Sequence, residues 1–138
     1  MGRRNNCCIP TDDLALFQKC RRLNEDIAAL RRCLPSAEVV SALEKLGVDN
    51  LPLDTPRKVR RKLMLLLRLK TLLDEREAEF DSIVCQAEHA AQRIGNLNPR
   101  LIAKLYFIDG KSKRDVAREC SISEGTVYKW VKVISRPL

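Results

Sequence analysis

Aromatic side chains and histidine are scarce: three Phe, two Tyr and one Trp stand among 138 residues, and His89 is the single imidazole. The six cysteines (Cys7, Cys8, Cys20, Cys33, Cys85, Cys120) form no C-x-x-C pair, so a zinc site would need distant thiols to converge, and no metal is expected. Glycine is sparse too, with five in the chain and no phosphate-cradling loop among them. His89 beside Glu88 reads as a surface pair, and the carboxylates from Asp74 to Asp81 run along one helix, where they diverge around its axis. These absences point away from an enzyme and away from a cofactor. No apolar run approaches the ~20 residues of a membrane span. Asn6 stands where myristoylation needs Ser or Thr. Without a secretory signal the expected compartment is the cytoplasm, where thiols stay reduced; Cys20 and Cys120 then read as small core residues, and adjacent Cys7-Cys8 as a pair open to oxidation.

Pattern is densest near the C-terminal end. Asp109-Gly110 closes the segment Pro99 to Ile108, in which Leu101, Ile102, Leu105 and Tyr106 have the spacing of a helix packed on the next two helices. Ser112 and Ser123 each stand where a helix begins and can accept a bond from an orphan backbone N–H. Between them Ala117 is the small residue that lets two helices cross closely, Val116 and Cys120 line the first helix, and Ile122 plugs the turn. Val127, Trp130, Val131 and Ile134 recur at helical spacing as the inward face of the second. The whole predicts a three-helix, helix-turn-helix domain over residues 96–138 that binds double-stranded DNA.

Helical phase then assigns roles. With those apolar residues inward, Ser123, Glu124, Gly125, Tyr128, Lys129 and Lys132 face outward as candidate base readers. Glu124 can accept from a cytosine amino group and Lys129 can donate to guanine, while Gly125 lets the helix approach the groove and Tyr128 can touch a thymine methyl or a phosphate. Lys111, Ser112, Lys113 and Arg114, at the start of the preceding helix, are candidate phosphate contacts that position rather than specify. Net charge agrees: the chain carries +8, and residues 98–138 hold nine Lys/Arg against four Asp/Glu. Four of the six aromatics, Tyr106, Phe107, Tyr128 and Trp130, also lie there.

The stretch from Pro99 to Ser135 resembles the promoter-recognition (region 4) domain of sigma factors and the related helix-turn-helix of phage and transposase regulators. In that family the turn often begins with glycine, because the residue adopts positive φ; Ser121 stands there in this chain and can take that conformation only at a cost.

The rest of the chain predicts assembly. From Pro56 to Gly95 there is neither proline nor internal glycine, and Asp54-Thr55-Pro56 marks a helix start. Leu66, Leu69, Leu73, Phe80, Ile83, Ala87, Ala90 and Ile94 alternate three and four apart, interrupted by Arg76, as a heptad seam. Leu16, Cys20, Leu23, Ile27, Leu30 and Leu34 form a second seam, capped by Thr11-Asp12-Asp13 and ended by Pro35; a short helix from Ser36 to Leu46, stopped by Gly47, lies between. These elements predict an all-α fold: a flexible 1–10 terminus, an N-terminal helical hairpin with a long coiled-coil-like helix over residues 11–95, then the C-terminal domain. The apolar run Leu63 to Leu67 on the overhanging arm predicts a homodimer. Residues 57–70 carry seven Lys/Arg and no acid, and residues 74–88 carry six acids and one base, blocks that suit antiparallel pairing. The basic block is either a second contact for DNA or RNA polymerase or a solvated helix face, and its interleaved leucines favour the latter.

This layout resembles small phage or prophage transcription regulators of the RinA and ArpU type, which implies a regulator that binds promoter DNA, with RNA polymerase as a further partner. Two other classes fit the same features. One is the DNA-recognition subunit of a packaging or recombination machine, similar to a terminase small subunit; the other is a protein-interaction adaptor that binds no DNA.

Overall fold

Helix is the only regular structure in residues 9–135, the part of the chain that the computed structural model describes. Cys7-Cys8, the terminus up to residue 8, and residues 136–138 lie outside it. Helix α1 spans Thr11–Cys33, α2 Ala37–Leu46, α3 Arg57–Gln92, α4 Leu97–Ile102, α5 Lys113–Cys120 and α6 Glu124–Ser135. None is long and apolar enough to cross a membrane.

Local chemistry sets most of these limits. Asp12 and Asp13 lie in the first turn of α1 and Arg31 and Arg32 in its last, each sign matched to the helix dipole. Ser36 Oγ accepts from the Val39 N–H at 3.3 Å and caps α2. In α3 nothing interrupts 36 residues of helix. Pro99 falls in the first turn of α4, where a missing N–H breaks no intrahelical bond.

Two compact units divide the described chain, and each takes part of α1 and part of α3: the first joins the residues up to Glu25 to those from Glu79 onward, and the second is Asp26–Ala78. The first half of α1 and the last turns of α3 belong to the same unit as α4 to α6.

The first unit holds a continuous apolar core. Phe17 and Cys20 from α1, Ala87, Ala90 and Ala91 from the end of α3, Ile94 just after it, and residues of the segments from α4 to α6 are buried together. The alanines keep α3 slim where other helices meet it. Phe17, outside the expected seam, is fully buried, whereas Leu16 is only half-buried. Lys19 ties α1 to α3 through Glu79 at 3.1 Å, and Arg93, just after α3, bonds Asp13 of α1 at 3.3 Å.

After α4 the helix widens into a π-helical segment, Ala103–Ile108, in which the Asp109 N–H donates to the Lys104 carbonyl at 2.9 Å. This corrects the expected phase. The buried set is Pro99, Ile102, Ala103, Phe107 and Ile108; Leu101, Leu105 and Tyr106 are half-buried. A π turn holds one residue more than an α turn, so the residues facing the core five positions after Ile102 and Ala103 are Phe107 and Ile108. Gly110, at φ +76°, then reverses the chain, and a Cβ there would stand 3.0 Å from the Asn24 side chain.

The second unit has a thin core of Ile27, Val40, Leu63 and Leu73. Asp26 faces Arg76 at 3.8 Å, Arg31 bonds Glu77, and Lys70 bonds Asp74. Six large apolar side chains stay exposed in it: Val39, Leu46, Leu53, Val59, Met64 and Leu65. Of the expected Leu63 to Leu67 run, Leu63 is buried and Met64 and Leu65 are exposed.

Candidate nucleic-acid interface

The surface built by α5 and α6 starts from their caps. Ser112 Oγ accepts from the Asp115 N–H at 3.1 Å, and Ser123 Oγ accepts from the Thr126 N–H at 3.0 Å. Both hydroxyls of the expected contact set are therefore engaged at helix starts; Ser123 Oγ also shares a hydrogen bond with Thr126 Oγ1 at 2.9 Å.

Between the helices the chain turns in three residues. Ser121 takes φ 57° and ψ 41°, and it is the one non-glycine residue with positive φ among the described residues. The Ile122 N–H reaches back to the Ala117 carbonyl at 3.1 Å and the Ser121 N–H to the Arg118 carbonyl at 3.4 Å, the bond pattern of a Schellman ending. Ala117 is buried at the crossing, and Ile122 packs half-buried on the core beside it.

Val127, Val131 and Ile134 form the inward face of α6. Trp130, expected among them, is only partly buried, and Lys129 Nζ lies 5.2 Å from its ring centroid. Cys120 is likewise half-buried rather than in the core. On the opposite side Ser123, Glu124, Gly125, Tyr128, Lys129 and Lys132 are all exposed, Tyr128 by 50%.

One contact joins the two helices into a single surface. Lys113, in the first turn of α5, places Nζ 4.7 Å from the Tyr128 ring centroid, and Lys132 places its own at 5.4 Å. The ring is thus flanked by two ammonium groups at cation–π distance. Arg114 and Lys129 have no acid partner among the described residues. Lys111 differs: its Nζ bonds Glu119 at 2.5 Å, and that bond raises its pKa above the ordinary lysine value while balancing its charge locally. Arg118 faces Asp115 at 3.7 Å.

Gly125 has no structural reason to be glycine. Its φ is not positive, and an added Cβ would meet only Ser123 Oγ at an ordinary 3.7 Å.

Three residues that composition and periodicity did not single out support this surface from behind. Gln18 Nε2 donates to the Ile134 carbonyl at 2.8 Å, Arg21 Nη1 to the Tyr106 and Lys111 carbonyls at 2.9 and 3.0 Å, and Asn24 Nδ2 to the Ile108 carbonyl at 2.7 Å. They recur every third residue on α1, flanking the buried Phe17 and Cys20; that polar stripe is the signal in the sequence.

Elsewhere, a cleft of about 330 Å³ is lined by Glu88, His89, Gln92, Arg100 and Lys104 with Ala91 and Leu101. Glu88 is bound there to Lys104 at 2.8 Å rather than paired with His89, and this bond, followed by the one to Asp109, raises the Lys104 pKa. Burial pushes the Cys20 thiol up to about 11 and raises that of Cys120, so neither is an activated thiolate. No group of His, Cys, Asp and Glu that could hold a metal occurs among the described residues. No family model, curated protein or solved structure matches the chain.

Proposed function

We propose that this protein is a sequence-specific transcription regulator that binds double-stranded DNA through α5, the Ser121 turn and α6 acting as a helix-turn-helix, with α6 in the major groove. The observation that carries this reading is the cluster of half-buried Lys113 with exposed Tyr128 and Lys132 on one surface, opposite the buried Val127, Val131 and Ile134. Gly125 supports it, since a glycine without a fold requirement at the start of an exposed helix is what close approach to a groove requires. Lys113 and Arg114 meet phosphates; Glu124, Tyr128, Lys129 and Lys132 meet base edges; Lys111 and the two cap serines assist through the helix starts. Two phosphate-contacting cations per domain, Lys113 and Arg114, correspond to a slope of log affinity on log salt of about −2.

A homodimer completes the reading. Six exposed apolar side chains in the Asp26–Ala78 unit give a second copy something to bury, and two reading helices would engage half-sites about one helical turn apart. The phage or prophage character and the RNA polymerase contact rest on the resemblance to sigma region 4 and to RinA- and ArpU-type regulators.

Selection of bound sequences from a random duplex pool tests all of this. An enriched half-site, lost in Lys129→Ala and Tyr128→Ala while random duplex is still bound, is the expected result. A ring of many subunits on a sizing column would move the protein to the packaging class. Failure to retard any duplex at low salt would leave a protein-binding adaptor.

A further inference from the structure

Three α1 residues, Gln18, Arg21 and Asn24, donate to backbone carbonyls of the elements that frame the candidate surface. Gln18 takes the Ile134 carbonyl in the last turn of α6. Arg21 bridges the Tyr106 carbonyl in the π segment to the Lys111 carbonyl just before α5. Asn24 takes the Phe107 and Ile108 carbonyls at 3.3 and 2.7 Å, and its side chain packs where a Cβ on Gly110 would stand. Carbonyls at helix ends have no intrahelical partner, and a π turn leaves its own displaced, so each needs an outside donor. Water could supply one without fixing where the carbonyl points. A side chain anchored beside buried Phe17 and Cys20 fixes it.

We infer that Gln18, Arg21 and Asn24 are positioning residues for the DNA-reading surface: α1 holds the end of α6 and the 109–112 loop in register, and so sets how Lys113 stands against Tyr128. This rests on the DNA reading of α5 and α6 and adds that α1 belongs to the reading module. None of the three touches the exposed face, so they act on specificity through geometry and leave the surface charge unchanged.

The test uses the full chain carrying Gln18→Leu, Asn24→Ala, or Gln18→Lys, which restores a donor. Without DNA, hydrogen exchange should quicken in the last turn of α6 for Gln18→Leu and over residues 109–112 for Asn24→Ala, with α3 unchanged and Gln18→Lys close to wild type. With DNA, preference for the selected duplex should fall about tenfold in Gln18→Leu and Asn24→Ala, the effect of roughly one hydrogen bond, while affinity for random duplex stays within about twofold. Unchanged exchange, or exchange that quickens evenly through α3 to α6, overturns the inference. So does an equal loss of affinity for both duplexes. If the wild-type chain binds no duplex, the DNA reading fails by itself, and the positioning role fails with it only if exchange is also unmoved.

Discussion

The Arg21 guanidinium lies 3.9 Å from the centre of the Tyr106 ring and donates to the carbonyl of that same residue at 2.9 Å, so one side chain holds both the ring and the backbone of the π segment. A second hydrogen bond, to the Lys111 carbonyl at 3.0 Å, ties in the approach to α5. Bonds from a charged donor and a cation–π contact together suggest that Arg21→Ala lowers stability by about 2 kcal/mol. Arg21→Lys should recover less than half of that, because an ammonium cannot present a planar fork to two carbonyls and a ring at once. Urea denaturation measures both; an unchanged midpoint in Arg21→Ala would mean that water serves the carbonyls equally well.

Ser121 sits in the left-handed region, where a Cβ crowds the backbone. Ser121→Gly should therefore raise stability by about 1 kcal/mol, and Ser121→Val should lower it by at least as much, since a β-branched residue suffers most there. Thermal unfolding of the two variants gives the order. If glycine and serine unfold together, the serine hydroxyl compensates the strain.

At Gly125 stability and function should move in opposite directions. Glycine at an exposed helical position is less favourable than alanine, so Gly125→Ala is expected to stabilise the fold by about 0.5 kcal/mol. The added methyl would stand on the face proposed to read DNA, and affinity for the selected duplex should drop. A variant that is more stable and binds as before would remove Gly125 from the contact set.

Cys20 makes stability depend on alkaline pH. Its thiol ionises at about 11 in the folded chain against the ordinary 9.0, because burial disfavours the thiolate. The folded state therefore keeps a proton that the unfolded state loses, and the contribution is fully present below pH 9 and declines as pH rises from about 9 to 11. Cys20→Ala should flatten that part of the curve. In native alkylation, exposed Cys33 and Cys85 should react before half-buried Cys120, with Cys20 last.

Much of the secondary structure was legible because its causes are local. Ser36, Ser112 and Ser123 cap the helices they precede, and the proline-free, glycine-free stretch after Pro56 is one helix. Phase alone placed Val127, Val131 and Ile134 inside and Tyr128, Lys129 and Lys132 outside. Phase failed where the turn itself changed: from Ala103 to Ile108 an α-helical count put Leu105 and Tyr106 inward, whereas the wider turn buries Phe107 and Ile108. It was also too generous to Trp130, whose helical spacing put it with Val127, Val131 and Ile134, whereas it is only partly buried against the core.

The sequence by itself determined that this chain is helical, where most helices begin and end, and which side of α6 is free to meet a partner. Those properties depend on neighbours three or four residues apart. Tertiary structure alone decided that Lys113 and Tyr128 share a surface, that Lys111 is balanced by Glu119, and that α1 satisfies the carbonyls of the π segment and α6. These pairings join different elements, in the case of Gln18 and Ile134 across 116 residues, and no periodicity encodes which donor will meet a carbonyl that its own helix leaves unbonded.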